Sequence, residues 1–238
     1  MLSLIIYIYN VMQIPNPSWY NFLVEGLKFT NFQLGLITIS SATMTWLGLV
    51  VYKKYLFRAS WRIVYILTTS LGLVFSVLQL FLVYGINEKI GIPSWMFALG
   101  DSTFASFVGA IQYLPTLIMY VVLCPEGSEG TSYALLTTIS NLAGTVGSDI
   151  SSWLTKLWDT DNATLQAGNY SGVANLAILT SILQLCPIIL VGLLPATREE
   201  QIALRDSGQS NFYGGFFLAL TVVVSLVFTV GLNIYLLL

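Results

Sequence analysis

Uninterrupted apolar runs of membrane-crossing length recur from one end of this chain to the other, and that recurrence excludes most folds. A run of about 20 apolar residues spans the hydrocarbon core of a bilayer as a helix, because only a helix or a closed barrel satisfies every backbone polar group there. The runs are Gln33–Tyr52, Ile63–Gly85, Leu99–Leu123, Thr131–Leu157, Gly172–Leu194 and Phe212–Leu238. Charged residues make up 8 % of the chain, against roughly 25 % in soluble domains. The fold class expected is an all-α, multi-pass integral membrane protein whose first partner is the lipid bilayer.

The remaining chain divides at its breakers. Leu2–Met12 is apolar but lacks a basic leader, so residues 1–13 are read as a truncated transmembrane helix ended by Pro15-Asn16-Pro17-Ser18. Residues 15–32 are expected to form an interfacial loop carrying Trp19, Tyr20 and Phe22. Residues 33–195 form a helical bundle, 196–211 a polar linker, and 212–238 an additional transmembrane helix.

Lys53, Lys54, Arg58 and Arg62 crowd one loop, which the positive-inside rule places in the cytoplasm. With that orientation six of nine Lys/Arg fall inside, and the sequons Asn162-Ala163-Thr164 and Asn169-Tyr170-Ser171 fall in one outer loop. A net charge of -2 and the lack of any basic tract argue against nucleic acid as a partner. With no histidine and only Cys124 and Cys186, neither a metal site nor a disulfide framework is expected. No nucleophile–base pair is visible, so the chain reads as a non-enzyme needing no cofactor.

Polar residues inside the spans are the candidate functional groups, since they are costly there unless they line a pathway or find partners. Asp101 lies near the outer end of the third span. Asp149 stands roughly 27 Å along the fourth at 1.5 Å per residue. Either carboxylate could couple or gate transport, or could sit at headgroup level. Gln112 and Asn141 fall near the midplane, where amides suit hydrogen bonding to a polar heterocycle or, equally, to each other's helices. Thr137, Ser140, Gly144, Ser148 and Ser151 share a face with Asn141 and suit close packing or a cavity wall. Gln79 and Gln184 are read as packing amides.

Between the third and fourth spans lies a charged turn. Pro125 stops the incoming helix, Gly127 permits an unusual backbone angle, and Glu129 and Thr131 suit the N-terminus of the next helix. A role for Glu129 in closing an inner gate is a further reading.

At this turn the chain resembles the folate–biopterin transporter family of the major facilitator superfamily. The residues are Leu123-Cys124-Pro125, Gly127, Glu129-Gly130-Thr131, Ala134-Leu135-Leu136, Ile139 and Asn141-Leu142, with Leu99-Gly100-Asp101, Gly109 and Pro115 upstream. The resemblance implies the C-terminal half of a secondary transporter; Phe212–Leu238 departs from the family's pattern as one helix beyond it. The resemblance further implies proton-coupled symport of folates or pterins by alternating access, and a partner N-terminal six-helix half. On that resemblance Leu2–Met12 is the end of family helix seven, and the five spans through Leu194 are helices eight to twelve. Asp101, Gln112, Asn141 and Asp149 then lie on cavity-lining helices. The span interiors carry no Lys or Arg to pair the glutamate of folate. The alternatives left open are carriage of another small organic solute, or a non-transporting subunit of a larger membrane assembly.

Overall fold

The computed structural model describes residues 2–124, 127, 129–194, 196–197, 199–200, 202–203 and 212–237. Among them there is no strand, and seven helices carry the architecture: α1 Leu2–Val11, α2 Asn31–Val51, α3 Trp61–Val83, α4 Ser94–Leu123, α5 Glu129–Leu154, α6 Ser171–Leu185 and α7 Phe212–Leu237. They alternate in direction. One end of the bundle gathers residues 13–30, 84–94 and 155–171, and the other gathers 52–61 with 194, 196–197 and 199.

Interactions at both ends fix this alternation. Arg62 donates from Nε to the Leu194 carbonyl at 2.7 Å, and Gln166 donates to Glu25 at the opposite end at 2.7 Å. Five helical segments are long and apolar enough to cross a membrane: Asn31–Leu56, Trp61–Val83, Ser94–Met119, Ser171–Leu193 and Gly215–Leu236. This is a multi-pass integral membrane protein. At 26 residues α5 is long enough as well, but its Ser, Thr and Gly content keeps it out of that set. It packs against α1, α4 and α7 instead of presenting a broad apolar face.

Local chemistry sets the helix boundaries. Thr30 and Gln33 close a capping box at the start of α2: the Thr30 hydroxyl accepts from Gln33 N–H at 3.3 Å, and Gln33 Oε1 accepts from Thr30 N–H at 2.8 Å. The fifth span covers Ser171–Leu193, but it is not α-helical throughout. The α-helix stops at Leu185 and continues as a 3₁₀ segment, Cys186–Leu193. Pro187 lacks an N–H and crowds the residue before it, which weakens the α ladder where the 3₁₀ segment begins. Residues 15–32, expected as a loop, contain a helical turn at Trp19–Asn21 and a π-turn at Phe22–Gly26. Phe22 and Leu23 are buried there beneath Leu82, Ala98 and Val173, and burial of that apolar surface orders the segment.

Two close approaches hold the frame. A Cβ on Gly48 of α2 would stand 2.6 Å from the Phe107 carbonyl oxygen and 2.9 Å from Ala110 Cβ of α4. One on Gly147 of α5 would stand 3.0 Å from the Val11 carbonyl oxygen. Helices in lipid gain no hydrophobic drive toward each other, so small residues at such crossings let backbone contacts supply the attraction. The outward faces of α2 and α7 remain apolar and exposed, with Ile39, Trp46, Val223 and Val227 among them.

Candidate functional site

α1, α4 and α5 converge on a cavity of about 330 Å³. From α4 come Gly109, Gln112, Tyr113, Thr116 and Leu117; from α5, Thr137, Ser140 and Asn141; from α1, Tyr9 and Asn10, with Gln13 just past its end. The spacings are helical, three or four residues apart, so each helix contributes one face. The volume falls within the range of small-molecule sites. No Asp, Glu, Lys or Arg is among the lining residues. Amides, hydroxyls and one exposed aromatic edge therefore set its chemistry, which suits an uncharged, planar, hydrogen-bonding solute.

The wall is held by polar contacts between helices. Gln112 donates from Nε2 to the Tyr9 hydroxyl, and that hydroxyl also lies 3.3 Å from Thr69 Oγ1. Asn10 donates from Nδ2 to Ser140 Oγ at 3.1 Å. The Tyr9 ring meets Tyr65 edge-on at 5.1 Å between centroids, and the Tyr65 and Thr116 hydroxyls pair at 2.5 Å. Pro115 sits inside α4 without ending it. It cannot donate to the Ile111 carbonyl one turn back, a local weakness beside Gln112.

Of the four candidate residues taken from the sequence, Gln112 and Asn141 line this one cavity. Gln112 is half-buried and Asn141 exposed, so the cavity opens sideways along α5. Asp101 and Asp149 do not line it. Asp101 is 5 % exposed; its Oδ2 accepts from Gln79 Nε2 at 3.3 Å, while Oδ1 is buried without a partner. Asp149 Oδ1 accepts from Asn233 of α7 at 3.2 Å, and its Oδ2 is buried without a partner. α7 also meets α1 through the Tyr7 and Ser225 hydroxyls, and Lys156 lies over the Tyr235 ring at 4.6 Å.

The turn motif is described in part. Cys124 is buried with Ile6 and Leu136 at the end of α4. Gly127 has φ 85°, the left-handed region that glycine tolerates. Gly130 and Thr131 lie in the first turn of α5. Pro125 and the side chain of Glu129 lie outside what the structure describes, as do Arg198 and Arg205 of the basic count.

Sequence reasoning missed Tyr9, Asn10 and Gln13, because α1 was weighed only as a remnant of a span. The signal was present: polar residues interrupt an apolar run at i, i+1 and i+4, a pattern that lipid-facing helices lack.

The BT1 family model matches residues 1–210. The folate-biopterin transporter of Synechocystis sp. is 28 % identical over 209 residues, covering 88 % of this chain and 41 % of the relative. Folate transporter 1 of Plasmodium falciparum is 24 % identical over 213 residues, covering 89 % of this chain and 41 % of the relative. Probable folate-biopterin transporter 4 of Arabidopsis thaliana is 30 % identical over 189 residues, covering 76 % and 36 %. The chain thus spans about two-fifths of the length of these curated relatives. No solved structure matches it.

Proposed function

This chain belongs to the BT1 family, and from that premise we propose that it supplies one side of a carrier for pterin-type solutes. The other side is an N-terminal six-helix half, and the two halves alternate access to a cavity between them. The observation that carries this reading is the α1–α4–α5 cavity, with its amide and hydroxyl lining and its opening along the exposed face of α5. Gln112 and Asn141 pair with the heteroatom edge of the ring, assisted by Asn10 and Ser140. Tyr113 offers an aromatic edge for stacking. The lining has no cation for a glutamate tail, which favours a neutral pterin over folate as the better-held solute.

Asp101 is the coupling carboxylate in this reading, and transport is symport with a proton. Its support is burial together with an unpartnered oxygen, which is costly unless protonation is part of the cycle. Asp149 serves α7 through Asn233 and has no direct part in solute binding.

The test is uptake of labelled biopterin and folate by cells expressing this chain alone, or with the N-terminal portion of the Synechocystis relative. Uptake is expected only on co-expression, with biopterin preferred. Strong proton-dependent uptake by the chain alone would refute the two-part carrier.

A further inference from the structure

A second cavity, also about 330 Å³, lies behind the first, between α3, α4 and α6. It borrows Gly109 and Gln112 from the first cavity's wall. Its shape follows from where α3 and α4 touch. These antiparallel helices are pinned by hydrogen bonds at two levels, Gln79 to Asp101 at 3.3 Å and Tyr65 to Thr116 at 2.5 Å. Between those levels the facing positions include Gly72 and Ser76 on α3 and Ala105 and Gly109 on α4. Small side chains cannot fill the gap that the two pinned levels hold open, so a void remains.

The void runs lengthwise. Asp101, Ala105, Val108 and Gln112 follow steps of four, three and four along one stripe of α4, about 16 Å from first to last at 1.5 Å per residue. Gln79, which lines the cavity, holds Asp101 at one end. Gln112, which lines both cavities, holds the Tyr9 hydroxyl at the other. Thr68, Thr180 and Gln184 add polar groups along the way. At about 30 Å³ per molecule the space admits on the order of ten waters.

We propose that this second cavity is a water-filled compartment that carries protons between Asp101 and the Gln112–Tyr9 wall of the solute cavity. The inference rests on the reading of Asp101 as the coupling carboxylate. The step balances without any redox change. The Asp101 carboxylic acid passes its proton to a compartment water and is left as carboxylate, and one proton leaves the far end of the water row beside Gln112. Reversal restores the acid. Gln112 and Gln79 cannot relay protons themselves; they orient the waters, and the Tyr9 hydroxyl can accept and donate at the wall. No Asp, Glu, Lys or Arg is among the residues lining the compartment; Asp101 meets it through Gln79, one turn before Ala105, and Tyr9 is the titratable group in contact with Gln112 at its far end.

Infrared spectroscopy of the purified chain in lipid nanodiscs tests this directly. The Asp101 carboxyl band is assigned by its loss in Asp101→Asn, and its proton–deuterium exchange is timed in acidified samples. Fast exchange is expected in the wild type. Exchange slower by an order of magnitude is expected in Gly72→Leu, which fills the compartment where a Cβ meets nothing within 4 Å. Ala105→Leu fills it from the opposite wall and covers failure of the first variant to fold. A wild-type carboxyl that exchanges no faster than core amides overturns the proposal, as does an unchanged rate in a folded filled variant. Biopterin binding, measured in parallel by titration calorimetry on the chain co-purified with the N-terminal portion of the Synechocystis relative, is expected to be equal in wild type and Gly72→Leu. Absent binding in the wild type refutes the solute reading alone and leaves the exchange result standing.

Discussion

Replacing Gly48 by alanine tests whether the α2–α4 crossing holds the frame of the site. The new methyl would stand 2.6 Å from the Phe107 carbonyl oxygen and 2.9 Å from Ala110 Cβ. Contacts below about 3.0 Å are essentially unoccupied by real Cβ atoms, so α2 and α4 must move apart by several tenths of an ångström or more, displacing both. The obstructing atom is backbone, which no rotamer change can move aside. Overpacking of this kind costs about 1–3 kcal/mol. The control is Gly35→Ala on the same helix, where a Cβ meets nothing within 4 Å; its expected effect is neutral or slightly favourable, by up to about 1 kcal/mol of helix propensity. Unfolding by SDS titration in mixed micelles, followed by tryptophan fluorescence, gives both values on one scale. Because Phe107 and Ala110 stand between Asp101 and Gln112 on α4, the shift also moves the solute wall. Biopterin binding is therefore expected to weaken in Gly48→Ala and to hold in Gly35→Ala. Equal stability of the two variants would refute the close-approach argument.

Other predictions follow from the same geometry. Tyr9→Phe removes the acceptor that holds Gln112 in place and is expected to weaken biopterin binding several-fold by calorimetry, because the freed amide no longer keeps its position in the wall; an unchanged Kd counts against this wall. Asp101→Asn, co-expressed with an N-terminal half, is expected to insert normally in the membrane while uptake loses its dependence on a proton gradient; retained dependence removes Asp101 from the coupling. Asp149→Asn keeps an oxygen for Asn233 and relieves a buried charge, so detergent melting is expected to stay level or rise and uptake to persist; lost uptake would reinstate Asp149 in the mechanism. Asn233→Ala is expected to lower stability by only about 0.6 kcal/mol, the average for a hydrogen bond between membrane helices, with α7 still docked in a cysteine cross-linking assay.

The order of the helices was legible, and most of the crossing segments with it, because transfer of backbone into lipid leaves few options, and a run such as Gln33–Tyr52 declares itself by composition. Gln112 and Asn141 were legible as candidates for the same reason, since an amide at that depth stands out. Where they meet was also approachable, because their positions along two antiparallel spans place them at similar depth. Other features depended on partners distant in sequence. Whether Asp101 met solvent or Gln79 turned on the register of α3 against α4. Whether Asp149 faced a cavity or a helix turned on where α7 came to rest. The polar residues of α1 acquired meaning only when α1 proved to lie against α4 and α5, with Tyr9 on Gln112 and Asn10 on Ser140.

By itself, then, the sequence determined that this chain crosses a membrane several times as helices, which polar groups it carries inward, and which family its turn motif resembles. Those are local properties, settled by hydropathy and by residue types a few positions apart. The tertiary structure alone decided which of those groups share a cavity. Side chains more than a hundred residues apart, such as Tyr9 and Gln112, are joined only by helix register, and register is set by the summed packing of small residues such as Gly48 and Gly147 at crossings that no local pattern announces.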